Sequence, residues 1–179
     1  MEPCSTGRPF NARSFFTNQE TRIISGGVVL WRGYFQSVRP AINRILINVN
    51  ISTGAMYKHG NLISLCLDFL EKGKQTQALT AGPAQGHLPE RERRRLQNFL
   101  KGIKITTPHY TRNPNRPRVV RGLTQESARN RTFETGDGYA MTVLQYFNTQ
   151  LNMPLHFPDL ICVEVRDTRS YSLARFHTL

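Results

Sequence analysis

No acidic side chain falls between Lys101 and Glu126, and that stretch reads as two strands around an irregular loop. The strand-like runs are Ile103–Thr107 and Arg118–Thr124, and the segment between them is rich in Thr, Arg, Asn and Pro. Pro114 and Pro117 disfavour regular structure there, because proline fixes φ and offers no N–H to a ladder. The expected result is a hairpin with a basic tip. Arg112, Arg116, Arg118 and Arg121 lie on the loop and its flanks, with His109 and Tyr110 where the first strand runs into it. Arginines held on strands among aromatic and imidazole groups suit a polyanion. A merely solvated arginine-rich tip is the alternative, and charge alone does not choose between them.

The charge excess is general. The chain has 179 residues with Lys+Arg 24 against Asp+Glu 12, a formal net charge of +12. Residues 1–60 hold seven basic and two acidic side chains, and residues 61–179 hold seventeen and ten, so the bias is no tail. Nucleic acid is the leading partner class and an anionic membrane surface the second. No apolar run nears the roughly 18–20 residues that span a bilayer, and "MEPCSTGRPF" has no apolar signal core. Cys4, Cys66 and Cys162 are odd in number and widely spaced, so neither a metal site nor a disulfide framework is expected. Cys66 and Cys162 sit in apolar runs and read as buried thiols. The default setting is reducing and intracellular.

Along the chain, Met1–Ser25 shows weak periodicity. Pro40 is expected to end an element. "RILINVNIS" alternates, with Ile45, Ile47, Val49 and Ile51 on one strand face and Asn48 and Asn50 on the other. Ser52–Gly54 reads as a turn. Leu62, Leu65, Cys66, Phe69 and Leu70 form a helical stripe, with Gly73 as its cap. After a loop over residues 73–88, "HLPERERRRLQNFLKG" reads as a second helix. Pro89 is at its start, Glu90 and Glu92 in its first turn, and Gly102 beyond its end. Arg91, Arg93, Arg94 and Arg95 are assigned to its wet side. Gly136 and Gly138 mark a turn, "AMTVLQYFNTQL" a short helix, "ICVEVRD" a strand and "YSLARF" a further one.

Catalytic constellations are missing from this pattern. There is no phosphate loop, metal-ligating His pair, CxxC or nucleophile elbow. Cys162 and His109 have no local support as a nucleophile pair. The chain is expected to be no enzyme and to use no cofactor or metal.

Several runs together resemble a known family. "RSFFTNQETRIISGGVVLWRGYFQSVRPAINRILINVNISTGAMYK" is similar to the first linker region of eukaryotic Argonaute proteins. "LKGIKI", "RVVRGLT", "RTF", "MTVLQYF" and "FPDLICVEV" follow in the order and spacing of a PAZ domain. The linker-like part favours Argonaute over Dicer, which also carries a PAZ domain. The resemblance implies an α+β chain with residues 1–57 as the linker 1-like region and 58–179 as the PAZ domain. That domain would be an OB-like β-barrel bearing an α/β hairpin appendage, with a cleft for the 3′ end of single-stranded small RNA between them. The N-terminal, Mid and Piwi domains of an Argonaute are not in this sequence, which is expected to be a fragment or truncated form. Implied partners are the RNA 3′ end and other Argonaute lobes or silencing-complex proteins, with no membrane. The implied setting is cytoplasmic, with the nucleus as the second choice.

By the same resemblance, His109, Arg116 and the Tyr146 hydroxyl match groups that meet the last phosphate. Arg118 stands where the family often has an aromatic, and would pair with phosphate or stack on ribose. Phe133 matches the ring under the terminal nucleotide, while Phe147 would turn into the core. Arg169 and Leu173 match a basic group and an apolar wall near the terminal sugar. The family usually has an aromatic or histidine, preceded by a basic residue, where this chain has Leu151 and Gln150. Losing contacts to a charged group, at roughly 1.5–3 kcal/mol each, implies weaker binding than the family norm. Two other readings stay open: a basic, non-specific RNA-binding module, and a spacer segment with no ligand of its own.

Overall fold

The computed structural model describes residues 8–9, 13–82, 87–106, 117–134, 138, 140–166 and 175–178; for 8–9, 18–20, 166 and 175–178 it describes the backbone alone. The chain forms two compact units, Met1–Asn61 and Leu62–Leu179.

The first unit is an antiparallel sheet of β1 (Arg8–Pro9), β2 (Ser14–Ile23), β3 (Val28–Ala41) and β4 (Arg44–Tyr57), in that spatial order. β3 and β4 make a long hairpin closed by Ile42 and Asn43, where Asn43 takes φ 61. Asparagine tolerates that left-handed conformation better than most residues. Pro40 lies one residue inside the end of β3, paired with Ile45.

Ser52–Gly54 is no turn: it runs straight through β4. Gly33 and Gly54 are there for close approach. Gly33 pairs with Phe16 on one side and Ser52 on the other, and the Phe16 ring covers both glycines. A Cβ on Gly54 would come within 2.7 Å of that ring, and one on Gly33 would collide with the ring and sit 2.8 Å from the Phe15 carbonyl oxygen. Gly33→Ala is therefore expected to destabilise this unit by about 1–3 kcal/mol. The single tryptophan, Trp31, lies on β3 and reports the loss in urea unfolding followed by fluorescence.

The second unit has α1 (Leu62–Leu70), a 3-10 segment (Thr76–Leu79), α2 (Glu90–Leu100) and β5 (Lys104–Ile105), followed by β6 (Arg118–Ser127), β7 (Thr132–Glu134), β8 (Ala140–Thr142), α3 (Val143–Thr149), β9 (Ile161–Arg166) and β10 (Arg175–Thr178). The antiparallel sheet runs β10-β9-β6-β5, and β7 and β8 form a separate hairpin. This is the expected α+β class, with helices and a hairpin appendage set against a small sheet. The β5–β6 pairing, Lys104 with Val119 and Ile105 with Arg118, is the hairpin whose loop opened the sequence argument. Register shifts between Val120 and Gly122 and between Leu123 and Ser127 bend β6 against β9, as bulges do at the corners of small barrels.

The helical stripes find their core. Leu65, Cys66 and Leu67 of α1 and Leu96 and Leu100 of α2 cluster with Leu79, Val120, Ile161 and Val163. Phe69 stacks on Phe99 at 4.1 Å between centroids. The α1 cap is Glu71, not Gly73. Glu71 sits at φ 56, its N–H donates to the Asp68 carbonyl, and the Lys72 N–H donates to that of Leu67. That is the paired bonding of a Schellman end, met without glycine at the left-handed position.

One arginine of α2 departs from the wet-side assignment. Arg93, with its side chain 12% exposed, donates to Glu90, to Gln97 Oε1 at 3.3 Å and to the Leu123 carbonyl at 3.2 Å. It ties α2 to β6. Arg94 also donates to Glu90, and Arg95 lies over the Phe69 ring. The two guanidiniums hold the Glu90 carboxyl down from 4.5 to about 2. Because the folded value is the lower one, this contribution to stability is complete above pH 4.5 and fades as pH falls towards 2. Thermal melts over that window should decline less steeply in Glu90→Gln than in the parent chain.

Candidate nucleic-acid interface

The appendage begins where β6 ends. Asn130 and Arg131 N–H groups donate back to the Ser127 carbonyl, turning the chain into β7. β7 pairs with β8 through Thr132–Thr142, Phe133–Met141 and Glu134–Ala140. The helix then starts at Val143, three residues later than a helix over "AMTVLQYFNTQL" would. Thr142 sets that start: its hydroxyl accepts from the Gln145 N–H at 3.1 Å, and Gln145 Oε1 accepts from the Thr142 N–H at 2.9 Å. This reciprocal cap was readable in "TVLQ", whose spacing is that of a capping box.

Two further bonds seat α3 on the turn. The Val143 N–H donates to the Arg131 carbonyl at 3.0 Å, and the Leu144 N–H to that of Ala128 at 2.9 Å. Four residues advance a helix slightly more than one turn, so Val143 and Phe147 share one face. They are buried with Ala128 and Cys162. Tyr146 falls beside that face, half-buried at the rim, and its ring meets Phe133 edge-on at 5.4 Å and 74°. Leu151 and Leu155 pack against the same cluster, because the chain folds back at Asn152, φ 47. Leu151 thus contributes an apolar contact to the cluster; Gln150 is exposed.

The base of the appendage is pinned by Arg129, 30 residues from its partner in sequence. Its Nε donates to Asp159 at 2.8 Å, and its N–H to the Pro158 carbonyl at 3.2 Å. The hydrogen bond from Arg129 holds the Asp159 carboxyl below its ordinary range. Arg131 pairs with Glu126 at 3.3 Å. Beneath, Thr124 Oγ1 accepts from the Cys162 N–H at 2.9 Å and donates to the Glu126 carbonyl at 2.6 Å. Periodicity gave no hint of the Arg129–Asp159 and Thr124–Cys162 ties, whose partners are 30 and 38 residues apart.

Of the seven sequence-predicted residues, Phe133 and Tyr146 are brought together. Arg118 begins β6 and is 2% exposed. His109, Arg116, Arg169 and Leu173 lie outside the described residues. Burial raises the Cys162 thiol from 9.0 to about 12, which disfavours the thiolate. Among the described residues, no three His, Cys, Asp or Glu side chains are grouped to hold a metal ion. Two concavities, of about 500 and about 250 Å³, are lined by the end of β6 and the start of α2, and by neither Phe133 nor Tyr146. A flat apolar ring beside a phenol can stack a base and donate to an oxygen.

Comparison with known proteins assigns the pieces. Residues 12–58 match the Argonaute linker 1 domain and residues 67–174 the PAZ domain. Protein argonaute 7 of Oryza sativa subsp. japonica is 32% identical over 164 residues, 89% of this chain and 14% of that protein. The chain thus spans about one seventh of that relative's length. The Argonaute of Kluyveromyces polysporus, solved with a guide RNA, has the same fold over 94% of this chain and 20% of its own, with a TM-score of 0.55 at 16% identity. The Drosophila Argonaute 2 PAZ domain, solved to explain its 3′ end recognition of nucleic acids, is 28% identical, covering 65% of this chain and 91% of its own at a TM-score of 0.38. With a PAZ domain over more than half its length and a linker 1 domain ahead of it, this chain belongs to the Argonaute family.

Proposed function

We propose that the PAZ unit of this chain binds the 3′ end of single-stranded small RNA, without sequence preference and without cleaving it. Membership of the PAZ family supports the reading, and one observation in this chain carries it: Phe133 and Tyr146, 13 residues apart and both half-buried, meet at 5.4 Å. Phe133 would stack under the terminal base and the Tyr146 hydroxyl would donate to the last phosphate. His109 and Arg116 would share that phosphate, and Arg118 would pair with phosphate or stack on ribose. Arg169 and Leu173 would flank the terminal sugar. Stacking suits a sequence-blind reader because every base has a π-face, and it is worth about 1–3 kcal/mol per base. With Gln150 and Leu151 replacing polar contacts, affinity is expected at micromolar or weaker, about −8 kcal/mol.

A bulk-charge reading would draw on the arginines of α2 and of the loop before β6, and the α2 ones have partners of their own. Arg93 and Arg94 are bonded to Glu90, and Arg95 lies over Phe69, so the arginine run of α2 is engaged by its own unit. Titration of the full chain with unrelated short RNAs at several salt concentrations tests the choice. A terminal-nucleotide site touching one or two phosphates predicts similar affinities and a shallow slope, about −0.7 per phosphate in log K against log salt. A slope of about −4 or steeper would instead support a non-specific basic module.

A further inference from the structure

The proposed site draws on two parts of its unit. Phe133 and Tyr146 ride on the appendage, in β7 and α3, whereas Arg118 belongs to the sheet at the start of β6. A nucleotide touched from both parts needs them at one fixed angle, since polar contacts tolerate only about 0.5 Å of misplacement. The chain enters the appendage after Ser127 and leaves it on the way from Thr149 to Ile161, so the appendage hangs on two crossings. Burial of Val143 and Phe147 with Ala128 and Cys162 holds it to β9, and that attraction is itself non-directional.

Arg129 joins the two crossings. It lies in the entry turn next to Ala128, whose carbonyl accepts from the Leu144 N–H in the first turn of α3. On the exit side, its Nε reaches Asp159 Oδ1 at 2.8 Å and its backbone N–H the Pro158 carbonyl at 3.2 Å. Asp159 is fastened in its turn. Its carbonyl accepts from the Ala81 N–H at 3.1 Å, and its neighbour Leu160 bridges to Thr80. A hydrogen bond between ionised groups is short and directional. With side chains 55% and 57% exposed, the pair adds little to stability. Its effect falls on the angle between the crossings.

We propose that Arg129 and Asp159 are positioning residues, which hold the appendage at the angle at which Phe133 and Tyr146 receive an RNA 3′ end. The assignment rests on the 3′-end reading above. The pair acts through the two rings, by sparing the site the cost of ordering itself on binding. Charge supplies a sign that separates this role from bulk attraction. Asp159→Ala adds one unit to a net charge of +12, and non-specific attraction to phosphate would then strengthen RNA binding. Loss of position weakens it.

The test titrates the full chain and its variants with one short RNA, its 3′ end free or blocked by a bulky group. Residual dipolar couplings of the α3 and β9 amides, recorded without RNA, report the angle separately. Asp159→Ala and Arg129→Gln should each lower affinity for the free end about fivefold and narrow the free-to-blocked ratio to about twofold. In both, the α3 couplings should fall relative to those of β9, with melting temperatures within about 3 °C of the parent. Arg129→Lys, which keeps the charge, should lose less than about twofold. Tighter binding of the free end by Asp159→Ala would overturn the proposal. So would α3 couplings unchanged in both variants, whatever the RNA does. A parent chain indifferent to blocking would overturn the 3′-end reading and this assignment with it, and that result is seen before any variant is made.

Discussion

Phe147→Ala is expected to release the appendage from the rest of its unit. The side chain is 4% exposed and fills a cluster closed by Ala128, Val143 and Cys162. Truncating a buried phenylalanine costs about 3–5 kcal/mol, through lost transfer free energy and the cavity left behind. A three-residue strand pair and a seven-residue helix cannot absorb that cost, because neither is stable in isolation. The loss should therefore be local as well as global. Amide hydrogen exchange should speed up by two orders of magnitude or more, on the order of 3 kcal/mol of opening free energy, at Val143 and Leu144. Their N–H groups are held by the carbonyls of Arg131 and Ala128. The core amides of β9 should keep more of their protection. A cost below about 1 kcal/mol would mean that Phe147 does not anchor the helix.

Phe133→Ala should have the complementary effect, with little lost in stability and much in binding. The ring is half-buried and meets Tyr146 at its edge, so its removal leaves no closed cavity. Loss of one stacked base predicts affinity for an RNA 3′ end falling about 5- to 150-fold, from about 1–3 kcal/mol. Tyr146→Phe keeps the ring contact and removes the hydroxyl. It should cost about tenfold, at roughly 1.5 kcal/mol for a bond to a charged group, and leave the melting temperature unchanged. Calorimetric or fluorescence titration checks both variants. Unchanged affinity in Phe133→Ala would remove the ring from the site.

The helices and the β5–β6 hairpin were legible in the sequence because their signals are local. An i, i+3, i+4 stripe and a proline-capped start need no knowledge of the rest of the chain, and α1 and α2 follow them closely. The errors have physical causes. Ser52–Gly54 looked like a turn because glycine also marks turns, and the ring that needs Gly54 is Phe16, remote in sequence. Alternation in "RILINVNIS" told which residues share a face, but nothing local says whether that face is covered; Ile45, Ile47, Val49 and Ile51 are exposed. Arg93 reads as solvent-facing until the Leu123 carbonyl, 30 residues on, arrives beside it. At the candidate site, the resemblance pointed to Phe133 and Tyr146 as a pair. The Arg129–Asp159 tie and the cap that starts α3 at Val143 had to be seen in the fold, although the cap was spelled out in "TVLQ".

The most direct measurement compares one short RNA with a free 3′ end against the same RNA closed by a bulky 3′ group, both titrated into the full chain. The account predicts weak but measurable binding of the free end and at least a tenfold loss, about 1.4 kcal/mol, on blocking it. Equal affinity for the two would contradict a site that receives the chain terminus.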